Sequence, residues 1–180
     1  MKRILCSLFL ITAIPAVAAD YSVQPGSTLG FTGTFQGEAF TGQFKKFDAT
    51  ISYDPGNLAA SKFDVSVDII SVATGDSDRD SALPGDEFFA TAKFPNARFV
   101  STAFRKDGDQ VIAEGTLTIK GISKPVSLDV GFMPNGSGAI LDVTTKLDRS
   151  DFGVGTGDYA DTSTIGADVT VKGTLKLAAK

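Results

Sequence analysis

Apolar and polar residues alternate along most of the sequence, and the alternation is clearest near the C-terminus. Residues 168–177, DVTVKGTLKL, place valine, glycine or leucine at every second position, with aspartate, threonine or lysine between them. The same period of two recurs at 62–69, 111–120 and 141–147. Such a period predicts β-strands with one buried and one exposed face. No amphipathic helix of ordinary length interrupts the pattern, so the chain is expected to be all-β.

Segments of this kind number about eight when residues 98–105 are counted as a strand. Antiparallel strands with one apolar face either close into a barrel or stack as a sandwich. Here the apolar faces combine large aromatic residues with small ones such as Gly33, Ala49 and Gly115. This mixture fits a closed barrel with a cavity at least as well as a packed sandwich, and eight strands can hold one small ligand. A closed barrel of about eight antiparallel strands and a packed sandwich therefore both stay open on these residues.

The longest interval without alternation covers residues 71–104. It contains five acidic residues and two prolines, together with Phe88, Phe89, Phe94 and Phe99. A long loop inside a compact domain is usually functional or disordered, and this aromatic content argues against disorder. The interval is therefore expected to fold as a cap over the barrel, with one short helical turn.

Acidic residues in this interval follow the spacing of a calcium-binding loop. Asp76, Asp78, Asp80 and Glu87 occupy positions one, three, five and twelve, which supply oxygen ligands in such loops. Ser81 stands at position six, where the sharp turn needs glycine, and no helical pattern flanks the loop. A solvated loop in which an aspartate caps a helical turn explains the residues better, and no metal site is predicted.

The first 19 residues have the layout of a secretory signal peptide. Lys2 and Arg3 precede an apolar run at 4–14, and small residues close the segment. The run is too short for a typical membrane-spanning helix. We expect export, cleavage after Ala19 and one domain covering residues 20–180.

The composition after cleavage excludes several kinds of chemistry. Without Lys2 and Arg3, the chain has 15 basic and 21 acidic side chains, a formal charge of −6, and residues 20–180 contain no histidine, cysteine or tryptophan. Sites built on Ser-His-Asp, Cys-His, the usual zinc ligands or haem-binding histidine are therefore excluded. The acidic balance argues against nucleic acid as a partner. Hydrolysis by paired carboxylates stays open as an alternative.

Five segments contain motifs that occur together, in this order, in one protein family. They lie at 21–33, 42–80, 87–104, 115–130 and 149–155. The third contains Phe-Phe, Phe-Pro and Phe-Val-Ser, the fourth reads GTLTIKGISKPVSLDV, and the fifth reads RSDFGVG. Together they resemble the YceI-like proteins, which are periplasmic, lipocalin-like barrels that bind polyisoprenoid lipids.

The resemblance implies an all-β fold, an eight-stranded antiparallel lipocalin-like barrel with an apolar interior. It also implies that the barrel holds a long prenyl chain, such as that of a polyprenyl phosphate or an isoprenoid quinone. The apolar candidates for contact with this ligand are Phe31, Phe35, Phe47, Val65, Val67, Phe89, Phe99, Leu117 and Val171. Arg79 and Arg149 are candidates for contact with a polar head group. Pairing of each arginine with a neighbouring aspartate, Asp80 and Asp151 respectively, is the alternative that we favour.

The function implied by the resemblance is that of a non-catalytic periplasmic carrier, with no cofactor. Many family members have histidines in the regions where this chain has Thr28 and Ala82, so no metal or proton role of those histidines is carried over. Histidine-poor members resemble a branch associated with membrane b-type cytochromes. The alternative is therefore an interaction module for such a cytochrome, involved in redox or stress protection. A homodimer also stays open.

Overall fold

The computed structural model describes residues 18–180, so most of the predicted signal peptide lies outside the described residues. Within this part, the chain forms eleven strands, one α-helix and four 3₁₀ turns. The strands are β1 (Ala19–Val23), β2 (Thr28–Phe35), β3 (Glu38–Phe44), β4 (Phe47–Tyr53), β5 (Lys62–Asp68), β6 (Val72–Ala73), β7 (Asn96–Asp107), β8 (Gln110–Ile119), β9 (Ile122–Asn135), β10 (Gly138–Asp148) and β11 (Asp168–Ala179). The helical segments are α1 (Ser77–Ala82) and the 3₁₀ turns Leu58–Ala60, Ile69–Ser71, Arg149–Phe152 and Gly157–Tyr159. None of the helices in residues 18–180 has the length and apolar character of a membrane-spanning segment.

Three pairs of strands continue one another and act as single long strands. β1 leads into β2 through a turn at 24–27, β3 into β4 through 45–46, and β5 into β6 through Ile69–Ser71. Gly26 in the first turn has a φ of +85°, a backbone conformation that glycine adopts without strain. The bends preserve the antiparallel pairing, because β1 pairs with β4 while β2 pairs with β3. The eleven segments of the described chain therefore build eight long strands.

These eight long strands form one closed antiparallel barrel. The order runs β1–β4–β5–β7–β8–β9–β10–β11, and β11 returns to pair with β1. Val23 lies opposite Leu177 at this junction, and Thr28 of β2 lies opposite Thr174 of the same strand β11. Closure gives partners to the two edges that an open sheet would expose. The predicted fold class is confirmed.

One end of the barrel, where β1 begins and β11 ends, is filled by aromatic side chains. The ring centroids of Tyr53 and Phe132 lie 4.7 Å apart, and those of Phe63 and Phe104 lie 4.8 Å apart. Tyr21 packs against Phe132 with a centroid distance of 5.7 Å. Tilted and edge-to-face ring pairs at such distances are favourable. We call these five residues the aromatic plug.

The connection between β6 and β7 folds over the opposite end of the barrel. Residues 74–95, here called the cap loop, contain α1 and place Phe88 in a buried position. This confirms the predicted cap and its short helical turn. The strand counted at 98–105 is also confirmed, because it belongs to β7, which pairs with β5 and β8; the cap therefore ends at residue 95.

Leu141 and Ile70 provide a matched test of the barrel core. Leu141 is 0% exposed inside the barrel, whereas Ile70 is 65% exposed. Leu141→Ala should lower the free energy of unfolding by about 2–5 kcal/mol, because it leaves a cavity. Ile70→Ala should change it by less than about 0.5 kcal/mol. Urea unfolding followed by circular dichroism measures both changes, and equal shifts would contradict the core assignment.

Candidate functional site

An apolar cavity of about 220 Å³ lies inside the barrel, between the aromatic plug and the cap loop. Its wall includes Val65 of β5, Leu117 of β8, Leu128 of β9 and Val171 of β11. These side chains reach the interior because alternate residues of a strand point to the same face. Phe88 contributes from the cap loop. The interior can therefore enclose an apolar group without offering it an ion pair.

Eight of the eleven residues predicted as ligand contacts line this cavity. They are Phe31, Val65, Val67, Phe89, Phe99, Leu117, Val171 and Arg149. The other three, Phe35, Phe47 and Arg79, are not among the lining residues. Contact of any of the eleven with a ligand stays a prediction.

Phe35 and Phe47 occupy alternating apolar positions of their strands but do not line the cavity, although Phe47 lies opposite the lining residue Val67. Phe35 is the last residue of β2 and is 41% exposed next to the hairpin at Gln36 and Gly37. Phe47 is the first residue of β4 and packs against the core around the aromatic plug. A period of two identifies the face of a strand but not the depth of a residue along the barrel axis.

Phe40 and Phe44 of β3 line the cavity beside Phe31. Neither was among the residues predicted to contact a ligand. The Phe31 ring centroid lies 5.5 Å from that of Phe44 and 6.3 Å from that of Phe40. Gly42 lies opposite Phe31, and a Cβ at this position would collide with the Phe31 ring. Arg79 covers the outer side of this group, with its Cζ 4.1 Å from the Phe40 ring centroid, a cation–π contact. The alternation of Phe40, Gly42 and Phe44 in the sequence could have identified the face of β3 that points into the barrel.

The cap loop is bonded to residues 149–167, here called the return loop. The Glu87 carbonyl accepts hydrogen bonds from the backbone N–H groups of Gly155 and Thr156, both at 2.8 Å. Lys120 Nζ donates to one carbonyl of each loop, at 2.7 and 2.8 Å. Together the two loops form a lid across the mouth of the barrel.

Arg149 holds the return loop with the five N–H donors of its guanidinium. The residue is 6% exposed, and burial lowers the pKa of its guanidinium while Asp148 opposes this effect. Its acceptors, at 2.8 to 3.1 Å, are the carbonyl oxygens of Val154, Gly155, Tyr159, Ile165 and Gly166. A guanidinium has five such donors, so none is left for a ligand head group. The predicted pairing with Asp151 is wrong, because Asp151 lies 3.4 Å from Lys124 instead.

The acidic residues with calcium-like spacing hold the cap loop. Asp76 caps α1 by accepting hydrogen bonds from the N–H groups of Asp78 and Arg79. It also lies 3.8 Å from the Arg79 guanidinium, so the predicted pairing of Arg79 with Asp80 is wrong. Asp80 accepts hydrogen bonds from the hydroxyl and N–H of Thr74, which lower the pKa of its carboxyl. In residues 18–180, no group of three or more His, Cys, Asp or Glu residues is placed to hold a metal ion.

The barrel, the lid and the apolar cavity agree with the motifs read from the sequence. The family model for the YceI-like domain matches residues 21–177. The chain belongs to the YceI-like family. Protein YceI of Escherichia coli O157:H7 is similar, with 37% identity over 144 residues that cover 76% of this chain and 75% of that protein. The family resemblance is therefore confirmed.

Solved structures share the YceI-like barrel. BcnA of Burkholderia cenocepacia is similar with a TM-score of 0.82 and 31% identity, over 87% of this chain and 99% of BcnA. A polyisoprenoid-binding domain of Saccharophagus degradans, implicated in plant cell wall breakdown, is similar with a TM-score of 0.69. Its sequence identity is 17%, over 92% of this chain and 100% of that domain, so this second likeness shows the fold alone.

Arg149→Lys tests the role of the guanidinium in this YceI-like lid. Lysine keeps the charge but has three donors and no planar fork, so carbonyl groups of the return loop lose their partners. We expect the free energy of unfolding to fall by about 3 kcal/mol. Limited proteolysis should also cut the return loop faster.

Arg98→Lys is the matched control, because Arg98 pairs with Asp64 on an exposed part of the barrel at 2.6 Å. It should leave the midpoint of urea unfolding nearly unchanged, since exposed ion pairs contribute little. The same loss of stability in both variants would show that Arg149 has no special role in the lid.

Proposed function

We propose that this YceI-like protein is a non-catalytic, periplasmic carrier that binds the tail of an isoprenoid lipid or quinone in its barrel. The apolar cavity under the lid is the observation that carries the proposal. Its wall offers aromatic and branched aliphatic side chains, and the donors of Arg149 are already used by the return loop. The isoprenoid ligand class is what membership of the YceI-like family implies, and the family model matches residues 21–177.

The energetics favour a tail rather than a head group in the interior. Each buried methylene contributes about 0.8 kcal/mol, so a few isoprene units suffice for binding. The cavity of about 220 Å³ is smaller than the roughly 300–1,000 Å³ of pockets that enclose drug-sized ligands. It is suited to part of a prenyl chain, and the rest of the ligand must lie outside it.

The alternatives drawn from the sequence receive less support. An interaction module would present a broad apolar patch. The large apolar residues exposed within 18–180 are Phe35, Ile70, Val100, Ile122, Met133 and Tyr159, and they do not all share one patch, because Phe35 and Met133 lie near opposite ends of the barrel. A hydrolase would gain support from paired, buried carboxylates, whereas the buried polar or charged residues within 18–180 are Ser61 and Arg149. A cytochrome partner and a homodimer stay predictions.

Val171→Trp tests binding in the cavity, because the larger side chain points into it. Affinity for a fluorescent prenyl probe should fall by about tenfold or more, equivalent to about 1.4 kcal/mol. Thr170→Trp, at the exposed neighbouring position of β11, should leave affinity unchanged. If Val171→Trp does not fold, Val171→Leu can replace it, because leucine adds less volume to the cavity and is better tolerated; it should also lower affinity for the probe. Unchanged binding by a folded cavity variant would count against the proposal.

Export is tested by the mass of the protein purified from the periplasm. Cleavage after Ala19 should give a chain that begins with Asp20, and a control expressed without the first 19 residues should remain in the cytoplasm. In the structure, Asp20 is held at the barrel end, because its carbonyl accepts a hydrogen bond from the Lys180 N–H at 2.9 Å. Recovery of the intact chain, beginning with Met1, from the cytoplasm would contradict export.

A further inference from the structure

The barrel wall is open between β9 and β10 on the side of the lid. Their pairing runs from Gly138 opposite Asn135 to Thr144 opposite Asp129, and it ends there. Continuing this register would place Leu128 opposite Thr145. In the described chain, no backbone hydrogen bond joins β9 to the last four residues of β10.

The same two strands remain paired on their other sides. β8 and β9 pair as far as Ile119 and Ile122, and β10 and β11 pair as far as Asp148 and Asp168. Pro125 lies in the unpaired part of β9 and has no N–H to donate. The gap on the side of the lid therefore lies between β9 and β10, each of which is still paired with its other neighbour.

A space of about 310 Å³ occupies this seam, and we call it the slot. Val126, Thr144, Thr145, Leu147 and Phe152 line both the slot and the apolar cavity. The slot therefore borders the cavity at the place where β9 and β10 are not paired.

The charges around the slot decide which head group it fits. Lys124 pairs with Asp151 at 3.4 Å, and Lys146 pairs with Asp168 at 2.7 Å. Asp129 also lines the slot, and it has no cationic partner within 4 Å in residues 18–180. The charged residues that line the slot are two lysines, Lys124 and Lys146, and three aspartates, Asp129, Asp148 and Asp151. The lining thus has one negative charge in excess, which would repel a phosphate.

Hydroxyl groups supply the neutral polar contacts. Ser127 and Thr144 line the slot, and Thr145 lies at the junction with the cavity. Within the described residues, the Thr145 hydroxyl has no hydrogen-bond partner and the residue is half-buried. A hydroxyl or carbonyl on a ligand can bond such groups without an ion pair.

We propose that the slot is the head-group site and that it selects a neutral isoprenoid, an alcohol or a quinone, over a prenyl phosphate. The tail lies in the cavity and the head emerges between β9 and β10 rather than through the lid. This inference rests on the proposed function and adds the position and the charge of the head group.

Binding of an all-trans prenol and of its monophosphate, with equal chain length, tests the selectivity. At low ionic strength, where charge effects are least screened, the wild-type protein should bind the prenol about tenfold more tightly or better. Asp129→Asn with Asp151→Asn should raise affinity for the monophosphate by about fivefold or more, since it removes two negative charges beside the slot. Prenol affinity should change by less than about twofold.

The matched control is Asp107→Asn with Asp109→Asn, which makes the same charge change at the hairpin between β7 and β8. Affinity for either probe should stay within about twofold. Equal gains of monophosphate affinity in both double variants would overturn the assignment of charge selectivity to the slot.

A prenol with a photoreactive diazirine next to its hydroxyl locates the head group directly. Crosslinks should fall on 124–129 and 144–148. Crosslinks on the cap loop would overturn the slot while leaving tail binding intact, as would tighter binding of the monophosphate by the wild-type protein. Absence of binding by both probes would instead contradict the proposed function itself.

Discussion

Backbone N–H and C=O groups that leave water need hydrogen-bond partners, and this requirement explains how the molecule is put together. The strands meet it by closing, since β11 pairs with both β1 and β2. The return loop pairs with β2 at a single bridge, between Phe35 and Ile165, and five of its carbonyl groups turn toward Arg149. The unpaired edges of β9 and β10 are a place where strand pairing does not meet this requirement.

The two ends of the barrel are filled in different ways. The aromatic plug fills one end with rings in mutual contact, and Ile51 and Leu141 are among the fully buried residues of its core. The other end keeps its apolar side chains around a cavity and relies on hydrogen bonds within the lid. Because Arg149 bonds to uncharged carbonyl groups, the lid has a fixed shape without a buried carboxylate.

Alternation in the sequence was sufficient to predict the strands and the buried face of each, whereas the choice of a barrel over a sandwich came from the resemblance to the YceI-like family. Val65, Val67 and Val171 line the cavity for this reason. The partners of Arg149 could not be predicted, since every residue has the same carbonyl and only the folded return loop brings five of them together. The gap beside β9 was equally hidden, because the apolar alternation continues through Val126 where pairing with β10 has already ended.

Closure by β11 also determines when the barrel can be completed. Ser22 Oγ donates to the Ala178 carbonyl, and the two residues are 156 positions apart in the chain. Contacts between such distant residues form slowly, because the intervening chain must first be ordered. During synthesis from the N-terminus, the hairpins can form in succession, but β1 cannot pair with β11 until β11 has been synthesised. Folding intermediates therefore carry two open sheet edges, which are prone to aggregation, until the last strand is in place.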